Sequence, residues 1–171
     1  NRDEYFERET QSLGLWRNNT EILAGMDLRG GGTWRGVTNS GKVAALTNLP
    51  SIEKTPEKTK SRGLLIKNFF TKNITPYDYT NFLKESKNEF LGFNLVIGDK
   101  DNLIHYSNAN RKTSIIDDGI HIMTNTTFNN NWPKGDTLRK RVKNILFEKS
   151  SNLIDSFFSV LGPSFNVNPS N

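Results

Sequence analysis

The stretch GGTWRGVTNSGKVAALTN, Gly31 to Asn48, decides how this chain folds. Two segments of alternating character flank Asn39-Ser40-Gly41, a turn signal, so the stretch reads as a β-hairpin. Gly36, inside a strand pattern, predicts a bulge or a close backbone approach. Just upstream, Arg29-Gly30-Gly31-Gly32 reads as a flexible entry, and Glu21 to Asp27 (EILAGMD) as a short strand. This glycine run lacks Gly-x-Gly-x-x-Gly and a Gly-Lys-Ser/Thr ending, and it leads into a strand rather than a helix. It is therefore not a phosphate-cradling loop of the helix-terminus kind.

Beyond the hairpin, the Lys/Glu-rich segment near 51–60 reads as a mobile surface loop. A helix is expected from Ser61, with Leu64, Leu65 and Phe69 on one face. A second follows from Thr75-Pro76-Tyr77-Asp78, where Thr caps, Pro takes the first position and a carboxylate enters the first turn. Its stripe is Tyr79, Phe82 and Leu83. Three strand patterns come next, FNLVIG, LIHYS and GIHIMTN, the first two joined by Gly98-Asp99-Lys100-Asp101. Asp136 is expected to cap a helix carrying Leu138, Val142, Ile145 and Leu146. Another helix, with Ile154, Phe157, Phe158 and Leu161, stops at Gly162-Pro163. Strands in runs and helices in pairs predict an α+β fold, an antiparallel sheet covered by helices.

Bulk properties set the limits. At 171 residues the chain is most simply one domain, able to bury a core without staples. With 34% hydrophobic residues, 11 Phe and 3 Trp it is too aromatic for a disordered chain. Cys is 0, which removes disulfides, zinc knuckles and thiol nucleophiles from these residues. Apolar runs are too short for a membrane-spanning helix and no signal-peptide pattern is present, so a soluble domain inside the cell is expected. The net charge of +5 favours anionic partners.

Three constellations bear on chemistry. His105 and His121 are the only histidines, each flanked by large apolar residues; no third ligand stands at metal spacing, so metal or axial haem ligation by the pair is the weak reading. Arg139, Lys140, Arg141 and Lys143 form a basic helix face that could contact phosphates, without the interleaved aromatics that base reading needs. Finally, Asn1-Arg2-Asp3-Glu4 sets alternating charges at the start, where acid–base work would require a buried carboxylate.

Taken together, several stretches resemble the NRDE family, that of transport and Golgi organisation protein 2. They are NRDEYF at Asn1 to Phe6, NNTEILAGMD at Asn18 to Asp27, the Gly31 to Asn48 block, SRG at Ser61 to Gly63, GFNLV at Gly92 to Val96, and TN with WPK at Thr124, Asn125 and Trp132 to Lys134. The resemblance covers roughly the first 150 residues; it departs at Asn131-Trp132-Pro133, where the family places Pro before Trp. It implies an α-β-β-α sandwich of antiparallel sheets, like that of N-terminal-nucleophile hydrolases. Family members begin Met-Cys on a strand upstream of the tetrapeptide, so the present chain is read as an internal fragment, incomplete at both ends.

The resemblance implies that Asn1, Arg2, Asp3 and Glu4 line the mouth of a site whose nucleophile is not in the chain, with Asn48 and Asn125 placed to polarise a carbonyl. It implies trafficking, Golgi organisation and secretion, with haem or an acyl lipid as cargo and no required cofactor. Trp34, Phe93, Tyr106 and Trp132 would line the apolar groove of such a carrier. The location implied is cytoplasmic, with Golgi or mitochondrial association. An N-terminal-nucleophile amidohydrolase is the alternative, and nucleic-acid binding through the basic helix the second alternative.

Overall fold

A computed structural model describes residues 7–50, 59–86, 89–147 and 152–161. The Asn1 to Glu4 tetrapeptide and most of the loop near 51–60 lie outside these residues. The chain divides into two compact units, one of residues 1–117 with Thr124–Thr126, the other of Asp118–Met123 with residues 127–171.

The first unit is a seven-stranded antiparallel meander, β1 (Thr10–Trp16), β2 (Asn19–Asp27), β3 (Arg35–Thr38), β4 (Val43–Asn48), β5 (Phe93–Gly98), β6 (Leu103–Ser107) and β7 (Lys112–Ile115), each strand beside the next. Helices α1 (Gly63–Thr71) and α2 (Pro76–Glu85) are inserted between β4 and β5. Side chains alternate between the faces, so cross-strand register separates two rows. One runs Ala24, Gly36, Ala44, Ile97, Ile104 and lies on the core face. The small residues at its start let α1 come close: a Cβ on Gly36 would stand 2.7 Å from the Ala24 Cβ and 3.1 Å from the Phe70 ring. This is the close approach its place in the strand pattern predicts.

The core face is closed by Leu65, Ile66, Phe69 and Phe70 of α1 and Tyr79 and Leu83 of α2, with Phe93, Leu95 and Tyr106 beneath. Burial of each large side chain is worth about 1.5–3 kcal/mol. The buried stripe of α1 is thus Leu65-Ile66-Phe69-Phe70, and Leu64 is only half-buried. In α2 Phe82 is exposed, its ring stacked on Tyr79 and topped by the Lys72 ammonium, while Pro76 and Thr80 turn inward. Thr75 caps α2 as expected, its hydroxyl oxygen accepting the Asp78 N–H at 3.2 Å. Tyr79 Oη, buried between the helices, donates to the Leu65 carbonyl at 2.8 Å, and burial raises its pKa.

Two strand expectations need correction. Residues 119–125, GIHIMTN, are irregular, and the seventh strand is Lys112–Ile115. The apolar pattern of the former is real, but its polar groups are satisfied elsewhere. Gly119 has φ +153°, and the Ile122 N–H and C=O close a turn with Asn129. The sequence reading also omits β1, which pairs with β2 through two register shifts and ends in the buried Trp16.

In the second unit, α3 (Pro133–Phe147) and α4 (Leu153–Leu161) pack on each other. Asp136 falls in the first turn of α3, because the helix starts earlier, at Pro133. Among the described residues no helix is long and apolar enough to cross a membrane.

The β3–β4 hairpin is fastened to α1 by Lys42. Its ammonium donates to the Phe69 carbonyl at 3.0 Å and the Lys72 carbonyl at 2.5 Å, and lies 4.7 Å from the Phe69 ring centroid. A cation at the helix C-terminus also complements the macrodipole. Burial lowers its pKa, and Asp99 opposes that shift. Replacing Lys42 by Met keeps the stem and removes the donors; urea denaturation should show a loss of about 1–3 kcal/mol at unchanged m-value.

Candidate functional site

The site region begins with the turn after β2. Gly31 N–H donates to the Asp27 carbonyl at 2.7 Å and Asp27 N–H to the Gly32 carbonyl at 2.8 Å. The Asp27 carboxylate accepts the Arg29 N–H at 3.1 Å and, from across the turn, both arms of Arg8 at 3.1 and 2.6 Å. Burial penalises that carboxylate, but Arg8 together with the Gly30 and Arg29 amides outweighs the penalty and holds its pKa below the ordinary value.

Glycine is required where this turn meets the start of α1. A Cβ on Gly32 would lie 2.3 Å from the Gly63 carbonyl carbon, and one on Gly30 2.6 Å from the Ser61 Oγ. Thr33 N–H donates to the Gly63 carbonyl at 3.2 Å, so the RGGG and SRG stretches are joined main chain to main chain. Between them opens a polar cavity of about 480 Å³, lined by Arg8, Arg29, Trp34, Asn48, Lys60 and Arg62 among others.

A second cavity, about 710 Å³, lies on the sheet face away from α1 and α2. Its floor is a cross-strand row, Leu23, Val37 and Val43, continued by Leu15 on β1. Leu13, Trp34 and Val96 complete an apolar trough. Among the described residues nothing covers these apolar side chains, with Leu13 at 73% exposure and Val37 at 41%. Trp34 is common to both cavities.

The same face is polar toward the far ends of β4 and β5. Asn94, buried at 1% exposure, donates through Nδ2 to the carbonyls of Thr124 at 3.2 Å and Thr126 at 2.6 Å. Thr47 Oγ1 adds a bond to the Thr124 carbonyl at 2.6 Å. Because its amide hydrogens face carbonyls, Asn94 offers Oδ1 to His105 Nε2, 3.1 Å away, which must then carry the hydrogen. Burial pushes the His105 pKa down from 6.5 to about 4, so the ring is neutral at pH 7.

The residues singled out in the sequence are distributed unevenly. Asn1, Arg2, Asp3 and Glu4 lie outside the described residues. Asn48 ends β4 and lines the polar cavity, and Asn125, exposed, is held through both of its neighbours at the same end of the β4–β5 pair. Trp34 lines the trough. Phe93 and Tyr106 do not line either cavity: their rings pack 5.9 Å apart in the helix-covered core, because their positions alternate onto the opposite face. Trp132, 44% exposed, belongs to the second unit, as does His121, stacked on Phe128 and bonded through Nδ1 to Asn129. No cluster of metal-ligating residues occurs among the described residues. On the basic face of α3, Arg139 pairs with Asp136 at 2.9 Å. The sequence reading missed Arg8–Asp27, Arg29 and Arg62 as site residues; the only signal for the last two was their place beside obligatory glycines.

The chain matches the family model described as "Transport and Golgi organisation 2" over residues 1–168. It is 30% identical over 143 residues to the Mus musculus transport and Golgi organization 2 homolog, covering 78% of this chain and 51% of the relative. The Homo sapiens homolog is 31% identical over 145 residues, with 78% and 51% covered. The chain thus spans about half the length of these relatives. Among solved structures, penicillin V acylase from Agrobacterium tumefaciens superposes with a TM-score of 0.50 at 16% identity, covering 88% of this chain and 58% of that one. That likeness is one of fold, an N-terminal-nucleophile-hydrolase type of α+β architecture; the described residues supply one sheet and its helical layer.

The His105 environment gives a pH signature. The unfolded chain takes up a proton near pH 6.5 that the folded chain takes up only near 4. Stability should therefore be flat above pH 6.5 and fall by up to about 1.4 kcal/mol per pH unit between those values. The variant His105→Gln, which retains a donor to Asn94, should lose that part of the slope in denaturation at a series of pH values. Asn94→Leu deletes the clamp, and hydrogen exchange should then show faster amides at residues 124–126 than in the parent.

Proposed function

The chain belongs to the transport and Golgi organisation 2 family, and from that premise we propose that it provides the ligand-binding face of a trafficking protein that carries an acyl lipid. The observation that carries this reading is the open trough on the sheet, whose row of Leu15, Leu23, Val37 and Val43 is apolar across four adjacent strands. An apolar row of this continuity marks a face made to be covered, by a ligand or by a further element of the protein. A cavity of about 710 Å³ falls in the range of small-molecule sites, which suits a single acyl chain. Haem is the weaker cargo, since His105 is only 6% exposed and its Nε2 is committed to Asn94. Service to Golgi organisation and secretion, from a cytoplasmic location, is part of the same proposal.

A second reading is supported by the anchoring of Asn125. An amide fixed through the Thr124 and Thr126 carbonyls is suited to donating toward a developing oxyanion, as an amidohydrolase requires. Its nucleophile would have to come from outside these residues, which contain no cysteine.

Titration of the chain with a fluorescent fatty-acyl probe tests the carrier reading. Saturable binding at one site is expected, with Val37→Asp weakening it about tenfold or more at unchanged far-UV circular dichroism. Absence of saturable binding overturns the reading. With N-acyl amide substrates the same 171 residues should release no product; turnover would favour the hydrolase.

A further inference from the structure

We propose that the polar cavity between the Asp27–Gly32 turn and the start of α1 binds an oxyanion, a phosphate or carboxylate group, and so receives the head of an amphiphile whose tail lies on the apolar trough. The second half of that statement rests on the carrier reading above; the first does not.

Charge is the first ground. Among the described lining residues Arg8, Arg29, Lys60 and Arg62 are cationic and Asp27 alone is anionic. Asp27 is matched by its two-armed contact with Arg8 and by the Arg29 amide, so it adds no open carboxylate to the cavity. Lys60 shares its ammonium with Glu89 at 2.9 Å, a pair in which both side chains are about half exposed and which is correspondingly weak. Arg62 is positioned by an NH1 bond to the Gly92 carbonyl at 2.9 Å. The described lining thus carries an excess of positive charge.

Architecture is the second ground. The turn is closed by Asp27 and its own main chain, so the fold does not need an arginine at position 29 for that purpose. The start of α1 lines the same cavity, with no acidic residue in its first turn and no side-chain cap at Arg62. The Leu64 and Leu65 amides donate to the Ser61 and Arg62 carbonyls at 3.1 and 3.0 Å, so the helix contributes its dipole and the side-chain cations the contacts. Gly32 and Gly63 bring the two segments into main-chain contact, which places cations of both around one space. A volume of about 480 Å³ exceeds a bare ion and suits a head group.

Trp34 joins the two halves, since it is a lining residue of both the cavity and the trough. A ligand spanning both would place an anion against Arg29 and Arg62 and its apolar part over Val37 and Val43. Neutral lipids would forgo the first set of contacts.

Calorimetric titration of the chain with dodecyl phosphate, dodecanoate and dodecanol, all below their critical micelle concentrations, tests this. Both anions should bind about tenfold or more tightly than dodecanol, with the preference shrinking as salt is raised. Arg29→Glu, on the exposed turn, and Lys60→Glu should each reduce that preference while leaving dodecanol binding unchanged. A tighter dodecyl phosphate assigns the site to a phosphate head; parity of the two anions assigns it to any oxyanion. Equal affinity for dodecanol and the anions overturns the oxyanion site and leaves the carrier reading standing. If none of the three binds, the carrier reading falls, and titration with inorganic phosphate decides the cavity alone: binding lost in Arg29→Glu upholds it, and no binding overturns it.

Discussion

The main-chain contact between Gly32 and Gly63 is the constraint on which the rest of the first unit depends. There is no room at this contact for a side chain on either residue, and the Thr33–Gly63 hydrogen bond fixes its register. It sets where α1 starts, and so which residues of α1 face the sheet. With α1 placed, Lys42 can reach the carbonyls at its far end, and Phe69 and Phe70 enter the space left by Ala24, Gly36 and Ala44. Two ends of one helix are thus tied to one hairpin, one by absence of side chains and the other by a long cationic one.

The two faces of the sheet are used differently. The core face is covered by helices; Tyr79 Oη there is paired with the Leu65 carbonyl, whereas the buried Thr113 Oγ1, across from Tyr106, has no hydrogen-bond partner among the described residues. The other face carries a division along the strands. Toward one end the cross-strand partners are apolar, Leu15 to Leu23 to Val37 to Val43. Toward the other they are Thr47, Asn94 and Ser107, buried or half-buried, and committed to hydrogen bonds. A buried amide left without partners would cost about 1–3 kcal/mol, which explains why Asn94 uses both amide hydrogens and its oxygen. The ordered position of residues 124–126 follows from satisfying Asn94 as much as from any preference of their own.

Local signals were legible wherever one residue type has one use. Asn39-Ser40-Gly41 marked the hairpin, with Gly41 at φ +82°, and Thr75-Pro76 marked the start of α2. The three long strand patterns gave two strands, because alternation records which side chains are apolar and not where the backbone finds its partners. In GIHIMTN the partners are side chains outside the stretch, Asn129 for Ile122 and the distant Asn94 for Thr124. β1 was missed for the opposite reason: Leu13 and Leu15 alternate, but two register shifts and an exposed face blur the pattern. Of the groove candidates Trp34 lines the trough, whereas Phe93 and Tyr106 alternate onto the core face, a distinction that needs the strand register.

The sequence by itself determined the α+β class, the hairpin, the family and the set of glycines, since each depends on short-range stereochemistry or on a string of residues. Only the tertiary structure decided that Arg8 meets Asp27 nineteen positions away, that Arg29 and Arg62 share a cavity, and that Trp34 belongs to two. Those pairings come from the antiparallel order of the strands and from a helix packed onto one face. They are set by burial of the core and by main-chain hydrogen bonding across the sheet, forces that act between segments and leave no periodic mark within either.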